Sequence, residues 1–473
     1  MAKKPESSKP QKRWRENIEA LAVAVVVALL FKYFILEISK IPSGSMQPTL
    51  MGHPQSGVFD RVLVDKLSFR FRDPDRFEIV VFKHPLERSR VMVKRLVGMP
   101  GEELKIENGD LWTRASGTEE WKILRPPASV QDELWKRIDV DKPKQTSWSG
   151  LDGDAWLAKG RGARTNQPGR IAFRRRDNGI RDEYTDGYPD ALRREIKAPR
   201  GRNFVGDLRV EGEVHPAANV TAFVVELKEG TRSYVFRIPG PAADAGDRAE
   251  IRYHAPERGS NPAEKVEFSE TARLAKSKGY TFAAQNLNDR LTLTLDGETL
   301  AELDIPANKN QHSTVQIGFE GGGGELDDLQ VLRDTYYASP QDTWSVEIPE
   351  GNYVMLGDNT LDSADSRLWE EQTIHMQGGS ERRGNYRHRE NPLPGAEEYG
   401  DQVRFKNTWG EVEWFPRNRV ESEAGIRFEG LLSELGPIRR EPLVPRSLIQ
   451  GRAVAVFWPL QPTRRLWRLA WLH

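Results

Sequence analysis

Apolar positions change their spacing several times along this chain, and each change marks a different kind of element. Residues 20–36 are apolar except for Lys32. A run of that length and uniformity predicts a helix near the lower limit for crossing a bilayer. Residues 41–113 then alternate short apolar runs with turns, at 61–67, 78–85 and 90–104 and again at 111–112. This spacing predicts strands. Asn108 and Gly109 predict a tight hairpin between two of them. Residues 114–170 are polar with scattered Trp, Gly and Pro, which predicts a surface excursion or linker. Alternation resumes at 207–214, 221–227, 233–238, 249–254, 290–295, 299–305 and 314–319, with a turn at Asp296 and Gly297. Seven or more short strands separated by turn signals predict a second all-β unit, a sandwich. Residues 346–369 form a tight β-like pattern, 371–440 are polar and irregular, and 444–460 form a last β-like run.

Charge changes this picture only at the ends. The chain balances 70 Lys and Arg against 70 Asp and Glu, so whole-chain charge points to no nucleic-acid partner. At the start, Lys3, Lys4, Lys9, Lys12, Arg13 and Arg15 face only Glu6 and Glu16. A basic flank before an apolar run predicts a single-pass anchor with its N-terminus in the cytoplasm and everything after about residue 39 outside. Lys32 lies where its stem can snorkel to the headgroups. No A-x-A-like site follows the run, which argues against a cleaved signal peptide. The chain's last residues place Arg464, Arg465 and Arg468 among Leu and Trp, the pattern of a short amphipathic helix on a membrane surface or of a packed tail. The chain has no cysteine, which excludes disulfides, thiolate metal sites and a cysteine nucleophile. The eight histidines form no metal constellation, and no cofactor or metal is expected.

Three short segments carry the candidate chemistry. The string IPSGSMQPTL at 41–50 begins a few residues after the apolar run. Alone it is turn chemistry. The string VMVKRLVGMPG at 91–101 places Lys94 inside an apolar β-branched strand. Such a lysine is either an edge-strand residue facing water or a buried amine whose pKa is lowered by desolvation and nearby positive charge. Serine with lysine is an alternative to the histidine triad. The string GDNTLDSADSR at 357–367 reads alone as a polar loop with an Asp–Arg pair.

In this order, the three segments resemble the type I signal peptidases, whose boxes read P-S-x-S-M-x-P-T-L, K-R-x-x-G-x-P-G-[DE] and G-D-N…S-x-D-S-R. The string GRAVAVFWP at 451–459 resembles that family's last core strand. The resemblance covers roughly 18–113, 340–370 and 444–460. It implies a mainly β protein with an antiparallel peptidase core. It further implies Ser45 as nucleophile, Lys94 as general base, and Ser43 with the Ser45 backbone N–H as oxyanion hole. Ser363 would bond and aim Lys94, while Asp358, Asp365 and Arg367 would support the loop. Ile41, Leu50 and Val93 would line shallow pockets for small substrate side chains. Thr360 stands where the family carries a basic residue. The implied partners are the signal peptides of exported preproteins and membrane lipid. The implied place is the bacterial cytoplasmic membrane, with the catalytic part on its outer face.

The implied organisation is a basic tail at 1–17, an anchor at 18–38, core at 39–113, a linker at 114–171 and an insert at 172–337. Core returns at 338–370, a polar insertion fills 371–443, and a final core strand with a basic tail occupies 444–473. The insert resembles concanavalin-like jelly rolls in its Asp296–Gly297 turn and in the Gly-rich loop at 321–324 running into 325–334. A carbohydrate or protein ligand would suit such a module. One alternative is a membrane-anchored carbohydrate-binding protein with a relic peptidase core. Another is a glycoside hydrolase, which adjacent Asp327 and Asp328 disfavour, because neighbours in a strand point to opposite faces. The insert reads as a self-contained module that a short linker could replace.

Overall fold

A computed structural model describes residues 10–53, 56–117, 120–139, 147–151, 156–159, 161–175, 179–193, 195–196, 200–256, 263–269, 272–276, 278–309, 312–339, 343–385, 396–399, 402–416, 432–461 and 466–473. Residues 1–9 of the basic tail, with Arg464 and Arg465, lie outside them. The chain begins with a helix, Pro10–Phe34. Leu21, Val23 and Val26 on it are more than half exposed, so its described apolar face packs on nothing. Among the described residues no helix is long and apolar enough to cross a membrane. The side chains of 28–34, within the expected span, lie outside the described set.

The helix runs into Leu36–Lys40, the edge of an eight-stranded sheet. Its main path runs Leu36–Lys40, Arg61–Asp65, Ile449–Trp458, Ile79–His84, Glu87–Gly98, Asn352–Leu356 and Val444–Pro445. Strands distant in sequence are thus neighbours in space, and the pairs are antiparallel. Alternation explains the elements. Val62 and Val64 turn inward from Arg61–Asp65, and Leu104 and Ile106 from Glu102–Glu107. Glu102–Glu107 and Asp110–Ala115 pair in a second, four-stranded sheet. The hairpin joining them has φ of 54° at Asn108 and 96° at Gly109. Two consecutive positive φ values are what a two-residue type I′ turn demands. Gly109 is required twice over, since a Cβ there would sit 2.3 Å from the Tyr336 ring.

Two larger sheets face each other as a sandwich. One carries Leu208–Pro216, Tyr280–Leu287, Arg290–Leu295, Glu298–Asp304 and Gly324–Arg333. The other carries Ala222–Glu229, Arg232–Pro239, Glu250–Ala255, Ala263–Phe268 and Ser313–Glu320. Phe223 from one sheet meets Phe282 from the other edge-on, with ring centroids 4.7 Å apart. They belong to one continuous apolar cluster that includes Val210, Val225, Phe236, Leu293, Ile317 and Val331.

The sandwich also recruits residues that the pattern reads as linker. Lys136–Arg137, Leu157–Lys159 and Gly162–Thr165 join the first sheet, and Trp148–Gly150 and Gly169–Phe173 join the second. These strands are two to five residues long and rich in Gly and polar side chains, so they show no alternating run. Glycine here serves close strand approach: a Cβ on Gly162 would lie 1.9 Å from the Leu326 carbonyl oxygen. The sandwich therefore begins near residue 136 rather than 172. The polar insertion is likewise β. Glu370–Met376, Glu381–Asn385 and Leu432–Arg440 form one sheet, and Ala396–Tyr399, Gln402–Lys406 and Val412–Pro416 another. Ile374, Met376, Val403, Phe405 and Phe415 make its small core. The C-terminal tail is not a helix: Ala470–Trp471 pairs with Ile449–Trp458, and Leu472 is buried beside Ile41, Met46 and Leu50.

These boundaries predict which fragment folds. Without residues before 172, the sandwich loses Ile138, Trp148 and Ile171 from its core. At about 1.5–3 kcal/mol for each large apolar side chain buried, the loss is comparable to a domain's whole stability. A fragment of residues 128–337 should give a cooperative thermal transition by circular dichroism, and a 172–337 fragment should not. Equal cooperativity in both would show that the early strands are dispensable.

Candidate active site

Ser45 sits in the turn that links Leu36–Lys40 to the rest of the sheet. Ile41, Met46 and Leu50 are buried on either side of it. Backbone bonds from Gln47 N to Gly44 O (3.1 Å) and from Leu50 N to Met46 O (2.8 Å) tighten the turn. Apolar anchors flank a polar tip, which is why this Pro-, Ser- and Gly-rich segment holds one shape. Lys94 comes from Glu87–Gly98, opposite Val80 of Ile79–His84. It is 2% exposed, as an inward position on a central strand dictates. Its Nζ donates to Ser45 Oγ at 2.5 Å and to the Val93 carbonyl at 3.1 Å. Ser43 Oγ lies 3.4 Å from Ser45 Oγ.

Burial is the largest influence on Lys94 and lowers its pKa from 10.5 to about 8. Asp365 and Asp358 act against that shift, and Arg90 and Arg367 act with it. The two carboxylates are occupied elsewhere. Asp358 accepts from Arg95 Nε (3.0 Å) and Nη2 (2.9 Å), and from Thr49 Oγ1 (2.6 Å). Asp365 takes Arg367 in the same two-pronged way, at 2.8 and 2.7 Å, and accepts from Gly357 N at 3.0 Å. Burial alone would raise both carboxyls, but the guanidinium beside each outweighs it and holds each below its ordinary value.

The loop after Gly357 reaches back to the serine turn. Asn359 donates its backbone N–H to Ser45 O at 3.1 Å and its amide Nδ2 to Gly44 O at 2.9 Å. Ser363 is buried beside Asp365 and helps hold that carboxylate charged, but no hydrogen bond joins its hydroxyl to Lys94. The bond expected between these two residues is thus not formed. Asp358 likewise supports the site through Arg95 and Thr49 rather than through Lys94 itself.

A groove of about 890 Å³ opens over Ser45 and Lys94. Ile41 and Val93 line it, together with Met46 and Val81. Leu50 does not. Its side chain is fully buried in the core with Val62, Val64 and Ile79, because the turn that presents Ser45 directs Leu50 inward. Lys406, from the polar insertion, lines the far end and pairs with Glu87. Among the described residues no group of His, Asp and Glu could hold a metal ion.

Two supports had no local signal in the sequence. Arg468, read only as part of a basic tail, pairs with buried Asp60 at 2.8 Å. It also donates to the carbonyls of Pro48 (3.1 Å) and Thr49 (2.9 Å). Asp60 in turn accepts from Met51 N at 2.7 Å. The chain's end therefore fastens the serine turn from below. Tyr188, from the sandwich region, donates its hydroxyl to Gln47, two residues after Ser45.

Residues 14–145 and 287–378 match the family model described as signal peptidase, peptidase S26. A probable signal peptidase I-2 of Synechocystis sp. is 34% identical over 131 residues, 26% of this chain and 57% of that protein. A probable signal peptidase I-1 of the same organism is 38% identical over 121 residues, 24% and 58% of the two chains. Thylakoidal processing peptidase 1 of Arabidopsis thaliana is 34% identical over 130 residues, 25% and 36%. The chain thus spans a little over half the length of the two Synechocystis relatives. Among solved structures, a carbohydrate binding module from Bacillus subtilis overlaps 40% of this chain and 96% of its own at 11% identity, with a TM-score of 0.25. At that score the likeness says nothing about what the sandwich binds. Through these two segments, a little under half of its length, the chain is similar to the signal peptidase family, peptidase S26.

Proposed function

We propose that this protein is a membrane-bound serine endopeptidase that removes signal peptides from exported preproteins. The observation that carries the reading is the 2.5 Å contact between Lys94 Nζ and Ser45 Oγ in a groove lined by both apolar and charged side chains. A serine hydroxyl is a poor nucleophile until a base takes its proton. Neutral Lys94 takes that proton as Oγ attacks the scissile carbonyl. Charge then develops on the carbonyl oxygen, where the Ser43 hydroxyl and the Ser45 backbone N–H stabilise it. Collapse of the tetrahedral species breaks the C–N bond, and the Lys94 ammonium returns its proton to the leaving amine. Water, deprotonated by Lys94, then hydrolyses the ester left on Ser45 and frees the signal peptide. Ser363, Asp358, Asp365 and Arg367 keep the two reactive groups in register. Ile41 and Val93 narrow the groove, which suits small side chains before the cut.

The anchoring helix is part of the same reading. Of the 25 residues of that helix, the apolar stretch at 20–34 spans about 22 Å at 1.5 Å per residue, and the basic residues before it belong to the cytoplasmic tail. The helix leads directly into Leu36–Lys40, whose residues line the groove. A substrate held at the membrane face would lie within reach. Ile38 on Leu36–Lys40 and Trp467, Leu469 and Trp471 in the C-terminal segment are exposed apolar residues. The implied orientation puts the basic tail in the cytoplasm and the catalytic part on the outer face of the bacterial cytoplasmic membrane.

Four outcomes test this. Cleavage of a model preprotein should rise with pH through about 8 and level off above about 9, because the neutral amine of Lys94 is the working form. Ser45→Ala and Lys94→Arg should both be inactive, since arginine keeps the charge but cannot release its proton. Turnover by Lys94→Arg would end the serine–lysine mechanism. A preprotein with alanine one and three positions before the cut should be processed, and one with a large aromatic just before the cut should not. Equal processing of both would contradict the assigned pocket. A reporter fused after residue 60 should be active only if it is of the kind that works outside the cytoplasm. Activity of a cytoplasm-only reporter there would reverse the orientation.

A further inference from the structure

Lys136 is a buried lysine that the proposed chemistry does not use. Its backbone belongs to the sandwich, where Lys136–Arg137 pairs with Gly324–Arg333 and Lys136 stands opposite Arg333. Its side chain leaves the sandwich. Nζ donates to the Asp358 carbonyl oxygen at 2.6 Å, and the residue is 5% exposed. Burial lowers its pKa from 10.5 to about 7, so Nζ serves there as a hydrogen-bond donor more than as a charge. A side chain that leaves its own module for a backbone carbonyl of the 357–362 loop is not what a passive passenger needs. Asp358 is the residue whose carboxylate ties Arg95, next to Lys94, to Thr49 of the serine turn.

A second bridge runs beside the first. Tyr188 and Tyr184 both donate to the Gln47 side-chain oxygen, Tyr184 at 3.3 Å. Tyr184 lies equally 3.3 Å from Asp362 in the loop that follows Asp358. Gln47 is 1% exposed. Between the tyrosines, Asp186 pairs with Arg175 and Arg333 at 2.6 Å each, and the tyrosines themselves pack with Met51, Val58, Leu192 and Ile196. Arg333 is the strand partner of Lys136, so both bridges start from one rigid patch of the sandwich.

We propose that the sandwich is a clamp on the active site, with Lys136 and Tyr188 as positioning residues that press the serine turn and the 357–362 loop into working register. The proposal rests on the peptidase reading above. It also revises the expectation of a removable insert, because the catalytic loops would lose two of their fixed points with it. Neither residue touches substrate. Each acts through a group that does not itself react, Asp358 in one case and Gln47 in the other. Reaction rates respond steeply to small displacements of reacting groups, with a 1 Å error costing on the order of 100-fold.

The test uses the full chain in detergent and a fluorogenic peptide with alanine one and three positions before the cut. Lys136→Met removes the donor, Lys136→Arg keeps a donor, and Tyr188→Phe deletes one hydroxyl while keeping the ring. Lys228→Met, on the far sheet of the sandwich, is the control. For Lys136→Met and Tyr188→Phe, kcat should fall on the order of tenfold or more while KM stays within about twofold. The urea midpoint should stay near wild type, and Lys136→Arg should recover part of kcat. If Lys136→Met does not fold, Tyr188→Phe decides alone. Folded variants with wild-type kcat would overturn the clamp. So would a loss of kcat that merely follows the loss of folded protein, which is a structural role only. A wild type that cleaves nothing would overturn the peptidase reading and this proposal together, whereas an active wild type beside unaffected variants sinks the clamp alone.

Discussion

The whole arrangement depends on keeping Lys94 out of water without giving it a carboxylate partner. A buried ammonium is driven either to lose its proton or to find a counter-ion. Two carboxylates, Asp358 and Asp365, are near enough to raise its pKa. If either paired with Lys94 directly, the pKa would climb back toward the ordinary lysine value. The structure prevents that by giving each carboxylate its own guanidinium in a two-pronged contact, Arg95 for Asp358 and Arg367 for Asp365. Lys94 is left with a hydroxyl and a carbonyl as acceptors. Desolvation then dominates. Four buried charges are needed to leave one lysine near neutrality.

Those ion pairs are also the girders of the site. Asp358 joins the lysine strand, the serine turn and, through its carbonyl, the sandwich. Arg367 reaches the Ala338 carbonyl at 2.7 Å, at the point where the chain re-enters the core from the sandwich. Buried pairs add little net stability but are costly to break singly, so they fix a geometry more than they strengthen a fold. Arg468 repeats the device from the C-terminal side through Asp60. The serine turn is therefore gripped by three distant parts of the chain. This matters because its own sequence, rich in Pro, Ser and Gly, has little intrinsic rigidity.

The sandwich leaves the core after Lys122–Ile123 and returns at Trp344–Ile348, the two edges of the four-stranded sheet, and both insertions touch the core again. The sandwich re-enters through Lys136, Tyr184 and Tyr188. The second insertion touches the rim of the groove, where Lys406 pairs with Glu87 and the Arg88 guanidinium lies 5.0 Å from the Trp409 ring. The strand that carries Lys94 is thus braced at its outer end by a module that looks, by its composition, like polar filler.

The sequence by itself determined the parts that local physics controls. Period-2 alternation marked the core strands and most of the sandwich. Asn108 and Gly109 marked a turn whose positive φ values few other residues accept. Three short strings marked Ser45, Lys94 and the 357–367 loop as one group, although the intervening stretches conceal how they meet. Tertiary structure decided what has no local signature. Strands as short as Gly162–Thr165 carry too few alternating positions to be read, and they exist because a neighbouring strand offers an edge. Leu50 belongs to the core rather than the groove because a turn's direction is set by what packs beneath it. Which of its neighbours Lys94 bonds, and which carboxylates are already occupied, depends on residues hundreds of positions apart. Distances of that kind are fixed only when the sheets close, so no pattern along the chain could have stated them.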